Sequence, residues 1–206
     1  MPRRARREIG GGLAHVTCRT VRRLPLFLDR RDALAYLGLL DDVTRDVTRW
    51  SVLAYCLMPN HVHLAVDAEV DQLALAMHRV NGLYAQRFNR IHGFTGHLFQ
   101  GRYHSKPIVE EAALPGALRY VVMNPVRAGL CARPENWRWS SYRAIVGLEW
   151  APRFLDVEYA LSAFGAKPAV ARPSFRRFVE QQLPRPPGEG TVPGTVPGRS
   201  TAARRS

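Results

Sequence analysis

The chain has 206 residues, 46% of them hydrophobic, which is enough for one domain with a buried core. No apolar run is long enough to span a bilayer, and no signal-type stretch follows the basic start. Membrane-embedded classes are therefore excluded, and the expectation is a soluble, cytoplasmic, nucleoid-associated bacterial protein. A formal net charge of +13 favours polyanionic partners, nucleic acid foremost.

Only Lys106 and Lys167 of the 30 basic residues are lysine. Arginine forks suit phosphates and base edges. A GC-rich genome would also explain the arginine excess, but not the net charge. Cys18, Cys56 and Cys131 are odd in number and widely spaced, which argues against a disulfide framework or a zinc ribbon.

Residues 1–12 read as a flexible basic arm carrying Arg3, Arg4, Arg6 and Arg7 and ending in glycines. Residues 13–21 are rich in β-formers and predict a first strand. Over residues 30–49, Leu34, Leu37, Leu40, Val43 and Val47 recur at helical spacing. Residues 50–57 predict a second strand, Met58-Pro59-Asn60 a turn, and residues 61–66 a third strand. A second helix follows over residues 71–91, with Leu73, Met77, Val80, Tyr84 and Phe88 on one face and Gly93 at its end. Residues 97–108 predict a fourth strand interrupted at Gly101. A short helix then reaches about Met123 and stops at Asn124-Pro125, because a residue before proline disfavours helical backbone.

The order β-α-β-β-α-β is the split βαβ, or ferredoxin-like, pattern of the α+β class: an antiparallel sheet with two helices on one face. Helical stretches follow near residues 140–146, 157–164 and 175–182. The expected organisation is an arm over 1–12, a main α+β domain over 13–148, a C-terminal helical extension over 149–183, and a disordered Pro/Gly/Arg-rich tail over 184–206.

The segment Met58-Pro59-Asn60-His61-Val62-His63-Leu64 carries the first chemical signal. On a strand, residues i and i+2 share a face, so Val62 and Leu64 point to the core and His61 and His63 point together the other way. Two neutral imidazoles side by side form a half-site for a divalent metal. Tyr120 and Asn124 are one helical turn apart. An amide oxygen beside two imidazoles suits Mg²⁺ or Mn²⁺ better than a structural zinc site. A tyrosine one turn from such a ligand could attack a phosphodiester polarised by the metal.

Three segments in register resemble the REP-associated tyrosine transposases of the single-tyrosine HUH (His-hydrophobic-His) superfamily. They are the His61-Val62-His63 segment, Gly96-His97-Leu98-Phe99-Gln100-Gly101-Arg102-Tyr103, and Tyr120 with Asn124-Pro125-Val126-Arg127-Ala128-Gly129-Leu130. Trp139-Ser140-Ser141-Tyr142 matches a further motif, and the resemblance covers roughly residues 10–146. It implies His61 and His63 as metal ligands, Tyr120 as nucleophile, and Asn124 as third ligand, with His97 and His104 as alternatives. The implied reaction is attack of tyrosine on single-stranded or hairpin DNA, leaving a 5′-phosphotyrosine link and a free 3′-hydroxyl that can attack back.

For DNA contact, Gln100, Arg102, His104 and Lys106 alternate along the predicted fourth strand and would project from one face. Arg3 and Arg4 would follow a groove or a phosphate backbone. Two rivals use the same motifs: a non-catalytic hairpin-binding module, and a phosphodiesterase that activates water. The sequence leaves the choice between monomer and homodimer open.

Overall fold

A computed structural model describes residues 11–183. Arg3, Arg4 and the tail from residue 184 lie outside the described residues. Strand β1 (Gly12–Arg19) buries Ala14, Val16 and Cys18 on one side and presents the less buried His15 and Thr17 on the other. Helix α1 (Arg30–Asp46) starts where Asp29 accepts a hydrogen bond from the Asp32 amide at 3.0 Å. Strands β2 (Trp50–Met58) and β3 (His61–Ala68) follow, joined by a two-residue turn. Helix α2 (Val70–His92) ends at Gly93, whose φ of 68° is the left-handed conformation glycine adopts at no steric cost.

With the short β4 (His104–Pro107) these strands form one sheet in the order β2-β3-β1-β4, antiparallel throughout. This is the split βαβ arrangement expected of the α+β class. Helices α1 and α2 cover one face. Asn81 of α2 donates to Cys18 Sγ at 3.2 Å and accepts from the Tyr36 hydroxyl of α1 at 3.1 Å. The apolar positions read from helical spacing, Leu73, Met77, Val80, Tyr84 and Phe88, are all buried.

Register fixes which side chains reach the other face. Cys18 pairs with Val62 and Thr17 with His63. A one-residue slip of β3 would exchange Val62, Leu64 and Val66 for the histidines, at ~1.5–3 kcal/mol for each large apolar side chain exposed. The hydrophobic pattern therefore holds His61 and His63 where they are.

Helix α3 (Leu114–Arg127) packs across the second face, against β2 and β3. It corrects the expected stop at Asn124-Pro125 by running through the proline to Arg127. Pro125 has no N–H for the Val121 carbonyl, and the Asn124 side chain supplies donors there instead. Gly129, at φ 69°, lies just beyond the helix end.

Residues 139–141 lie along the free edge of β2, with Leu57 N donating to Trp139 O at 2.8 Å and Ser141 N to Tyr55 O at 2.9 Å. Helices α4 (Tyr142–Ile145), α5 (Val157–Leu161) and α6 (Pro168–Glu180) complete the described chain. Helix α6 begins at Pro168, well before the expected residue 175, because proline fits the first helical turn. Ala171, Phe175 and Val179 then fall on one face and join the same continuous core as the sheet.

All three cysteines are free, and Cys18 and Cys56 are buried. No helix among the described residues is long and apolar enough to cross a membrane.

Candidate active site

His61 and His63 stand on the α3 face of β3, opposite Met58 and Cys56 of β2 and Arg19 and Thr17 of β1. Their rings are 4.7 Å apart between centroids. Asn60 fixes the tautomer of His61. Its Nδ2 faces the Arg23 carbonyl at 3.3 Å, so its Oδ1 is the atom 2.6 Å from His61 Nδ1. An amide oxygen only accepts, so His61 Nδ1 donates and Nε2 keeps its lone pair.

His63 is 5% exposed. Its Nδ1 lies 2.9 Å from His15 Nε2 and 3.4 Å from Thr17 Oγ1, while its buried Nε2 has no hydrogen-bond partner among the described residues. A buried polar atom without a partner is costly unless something else meets it.

Burial pushes His63 down to about 3, helped by the neighbouring His61, His15 and Arg19. Burial, with Arg19, pushes His61 down to about 4. His15 is lowered by burial and by His104 and Lys106. At neutral pH the histidines are neutral, the state in which imidazole ligates a metal.

Tyr120 arrives from α3. Its ring lies edge-on to His15, with centroids 5.1 Å apart, and to His63 at 5.8 Å. It is 42% exposed, so a large substrate can reach it. The Arg127 guanidinium sits 4.9 Å from the ring centroid and donates to Gln182 Oε1 at 2.7 Å. Asn124 Nδ2 donates to the Tyr120 carbonyl at 2.8 Å, which leaves Oδ1 as the acceptor that can turn to a ligand.

The structure thus brings His61, His63 and Tyr120 together, with Asn124 one turn from the tyrosine. Among the described residues no group of three or more His, Cys, Asp or Glu side chains could hold a metal ion. The unpartnered His63 Nε2 and the lone pair on His61 Nε2 fit a divalent cation.

The alternation expected along residues 100–106 holds for half of the row. His104 and Lys106 lie on β4, paired with Thr17 and His15, and so share the face of the histidines. Gln100 and Arg102 are exposed but lie outside the strand. The reason is a bulge: Phe99 bridges to Thr20 and His104 pairs with Thr17, so residues 100–103 face only Cys18 and Arg19. Strict alternation is lost there. His97 lies across the sheet, lining a cavity of about 660 Å³ with Met77, His78 and Asn81 of α2. Tyr84 is buried, as its place on the apolar helix face predicts, and Tyr103 is buried just before the strand begins.

Sequence reasoning missed His15 and Arg127. The alternation His15, Thr17, Arg19 along the first strand was a readable signal for the former. Arg127 is seven residues beyond Tyr120, two helical turns on the same face, but it lay past the expected helix end.

The sequence family described as Transposase IS200 like matches residues 12–124, from the first residue of β1 to Asn124. The chain belongs to the IS200-like transposases. The match takes in β1, the histidine pair and Tyr120, so the structural convergence occurs within the family's own extent.

Among solved structures, a REP-associated tyrosine transposase bound to a REP hairpin superposes on this IS200-like transposase with a TM-score of 0.59. The two are 20% identical, and the alignment covers 76% of this chain and 93% of that one. A candidate transposase from Deinococcus radiodurans R1 gives a TM-score of 0.39 at 19% identity, covering 59% of this chain and 94% of that one. The first likeness establishes a shared fold. A comparison with curated proteins found no match.

Proposed function

We propose that this IS200-like transposase is a metal-dependent strand transferase of the REP-associated branch. It cleaves and rejoins single-stranded or hairpin DNA through a 5′-phosphotyrosine intermediate. The observation that carries the reading is the convergence of Tyr120, from α3, on His63, from β3, at 5.8 Å between ring centroids. The hairpin in the REP-associated structure supports the choice of DNA.

His61 Nε2, His63 Nε2 and Asn124 Oδ1 would hold Mg²⁺ or Mn²⁺. When bound, the ion polarises the scissile phosphate and templates the reacting groups, worth several kcal/mol of charge stabilisation. Tyr120 Oη attacks phosphorus, an Oη–P bond forms and the P–O3′ bond breaks. The phenol proton ends, net, on the departing 3′-oxygen. Reversal by a 3′-hydroxyl restores the phosphodiester and frees the tyrosine, so no external energy source is needed. Lys106, bordering the site, and Arg102, on the neighbouring loop, would neutralise backbone phosphates, with His104 and Gln100 beside them as hydrogen-bonding groups. Arg3 and Arg4 would extend this contact.

The test is a denaturing-gel and mass-spectrometric search for a covalent adduct. Protein is mixed with single-stranded hairpin oligonucleotides from its gene's flanks, with Mn²⁺ or with chelator. The expected result is a metal-dependent adduct on Tyr120, absent in Tyr120→Phe and His61→Ala. Cleavage without an adduct would move the nucleophile to water. Salt-sensitive binding without cleavage, indifferent to Tyr120→Phe, would make the protein a hairpin-binding module.

A further inference from the structure

We propose that His15 is a positioning residue: its Nε2 accepts the Nδ1 proton of His63 and thereby locks His63 in the tautomer whose Nε2 can ligate. The same ring meets the Tyr120 ring edge-on. The use made of the nitrogen rests on the function proposed above; the tautomer does not.

Antiparallel pairing sets Thr17 opposite His63 and His15 opposite Ala65, so His15 and His63 are diagonal neighbours on one face. The two rings are within 12° of parallel, with centroids 5.1 Å apart and Nε2 to Nδ1 at 2.9 Å. So large a separation at so small an angle is that of rings bonded edge to edge, the geometry of an in-plane N–H···N hydrogen bond.

One hydrogen lies between these nitrogens. If His15 donated it, the proton of neutral His63 would sit on Nε2 as a buried N–H with no acceptor among the described residues. If His63 donates it, Nε2 is a buried lone pair, the form a cation requires. A ligating histidine must place its other N–H on an acceptor, and loss of that acceptor typically lowers metal affinity 10–100-fold. Thr17 Oγ1, at 3.4 Å, makes a longer and weaker contact to the same nitrogen than His15 does at 2.9 Å.

The contact with Tyr120 adds a second duty. The tyrosine ring meets His15 edge-on at 5.1 Å, closer than it meets His63. One imidazole therefore spaces the nucleophile from the ligand, linking β1 to both α3 and β3.

The experiment compares wild type with His15→Phe, which keeps a flat ring against Tyr120 but removes the acceptor, and His15→Gln, which restores one. The first readout is the tautomer of His63 in the metal-free protein by ¹⁵N NMR. The second is Mn²⁺ affinity in the absence of DNA. The expected results are Nδ1–H in wild type, a shift toward Nε2–H in His15→Phe with 10–100-fold weaker Mn²⁺ binding, and substantial recovery of both in His15→Gln.

An Nε2–H tautomer in wild type, or unchanged Mn²⁺ affinity in His15→Phe, would overturn the proposal. Should His15→Phe fail to fold, the wild-type tautomer decides alone. Absence of Mn²⁺ binding or adduct in wild type would overturn the function reading and leave the tautomer result standing.

Discussion

Asn124 Nδ2 donates to the Tyr120 carbonyl at 2.8 Å and reaches the Val121 carbonyl at 3.4 Å, so one amide bridges the helical turn that Pro125 leaves short of a donor. The amide nitrogen thus keeps α3 continuous beneath the nucleophile, while the amide oxygen is available for a ligand.

These two duties separate in Asn124→Asp. The carboxylate keeps an oxygen but has no N–H, and it sets a negative charge against two carbonyls. The expected outcome is a loss of about 1–2 kcal/mol in urea unfolding with Mn²⁺ affinity raised. Unchanged Mn²⁺ affinity in this variant would remove the residue from the donor set.

Arg127 lies over the Tyr120 ring and is tied to Gln182, just past α6. Arg119 reinforces that packing, with its guanidinium 3.9 Å from the Phe178 ring centroid. An exposed cation–π contact is worth ~0.5–1 kcal/mol, so Arg127→Ala should slow adduct formation roughly two- to fivefold. Mn²⁺ affinity should not change. Gln182→Ala should act in the same direction with smaller effect, as read by single-turnover gels.

The histidines also set a pH dependence of stability. His63 is held near 3 when folded, against an ordinary 6.5, so between those values the unfolded chain binds a proton that the folded chain does not. Stability is therefore full above pH 6.5 and is lost as pH falls. Between pH 7 and 5 this single group contributes about 2 kcal/mol. Urea midpoints of the metal-free protein at pH 7.5, 6 and 5 should fall with acidification, and less steeply in His63→Asn.

Lys106 and Gln100 should behave differently toward DNA. Lys106 shares the face of the histidines, and each phosphate neutralised on single-stranded DNA contributes ~0.7 to the slope of log affinity against log salt. Lys106→Ala should weaken binding across sequences and reduce the slope by about that amount. Gln100→Ala carries no charge change, so its slope should match wild type in fluorescence-anisotropy titrations.

Much of the fold was legible because its signals are local. Richness in β-formers marked β1, alternation marked β3, helical spacing marked the buried faces of α1 and α2, and Gly93 marked a helix end. The misreadings arose where a side chain or a distant strand repaired a local rule. Pro125 predicts a stop unless Asn124 supplies the missing donor. Gly101 interrupts a strand whose bulge depends on the Phe99–Thr20 bridge just past β1 and the His104–Thr17 pair within it. Pro168 opens a helix whose first turns make sense only once Ala171 and Phe175 are seen in the core.

The sequence by itself determined the element types, the shared face of His61 and His63, the turn separation of Tyr120 and Asn124, and the charge that favours DNA. These follow from covalent geometry and from spacing within one element. Only the tertiary structure decided that His15 would meet His63 at 2.9 Å and that Tyr120 would close over both. Strand register and helix placement are set by burial of whole apolar faces, so residues far apart in the chain acquire their partners only when those faces pack.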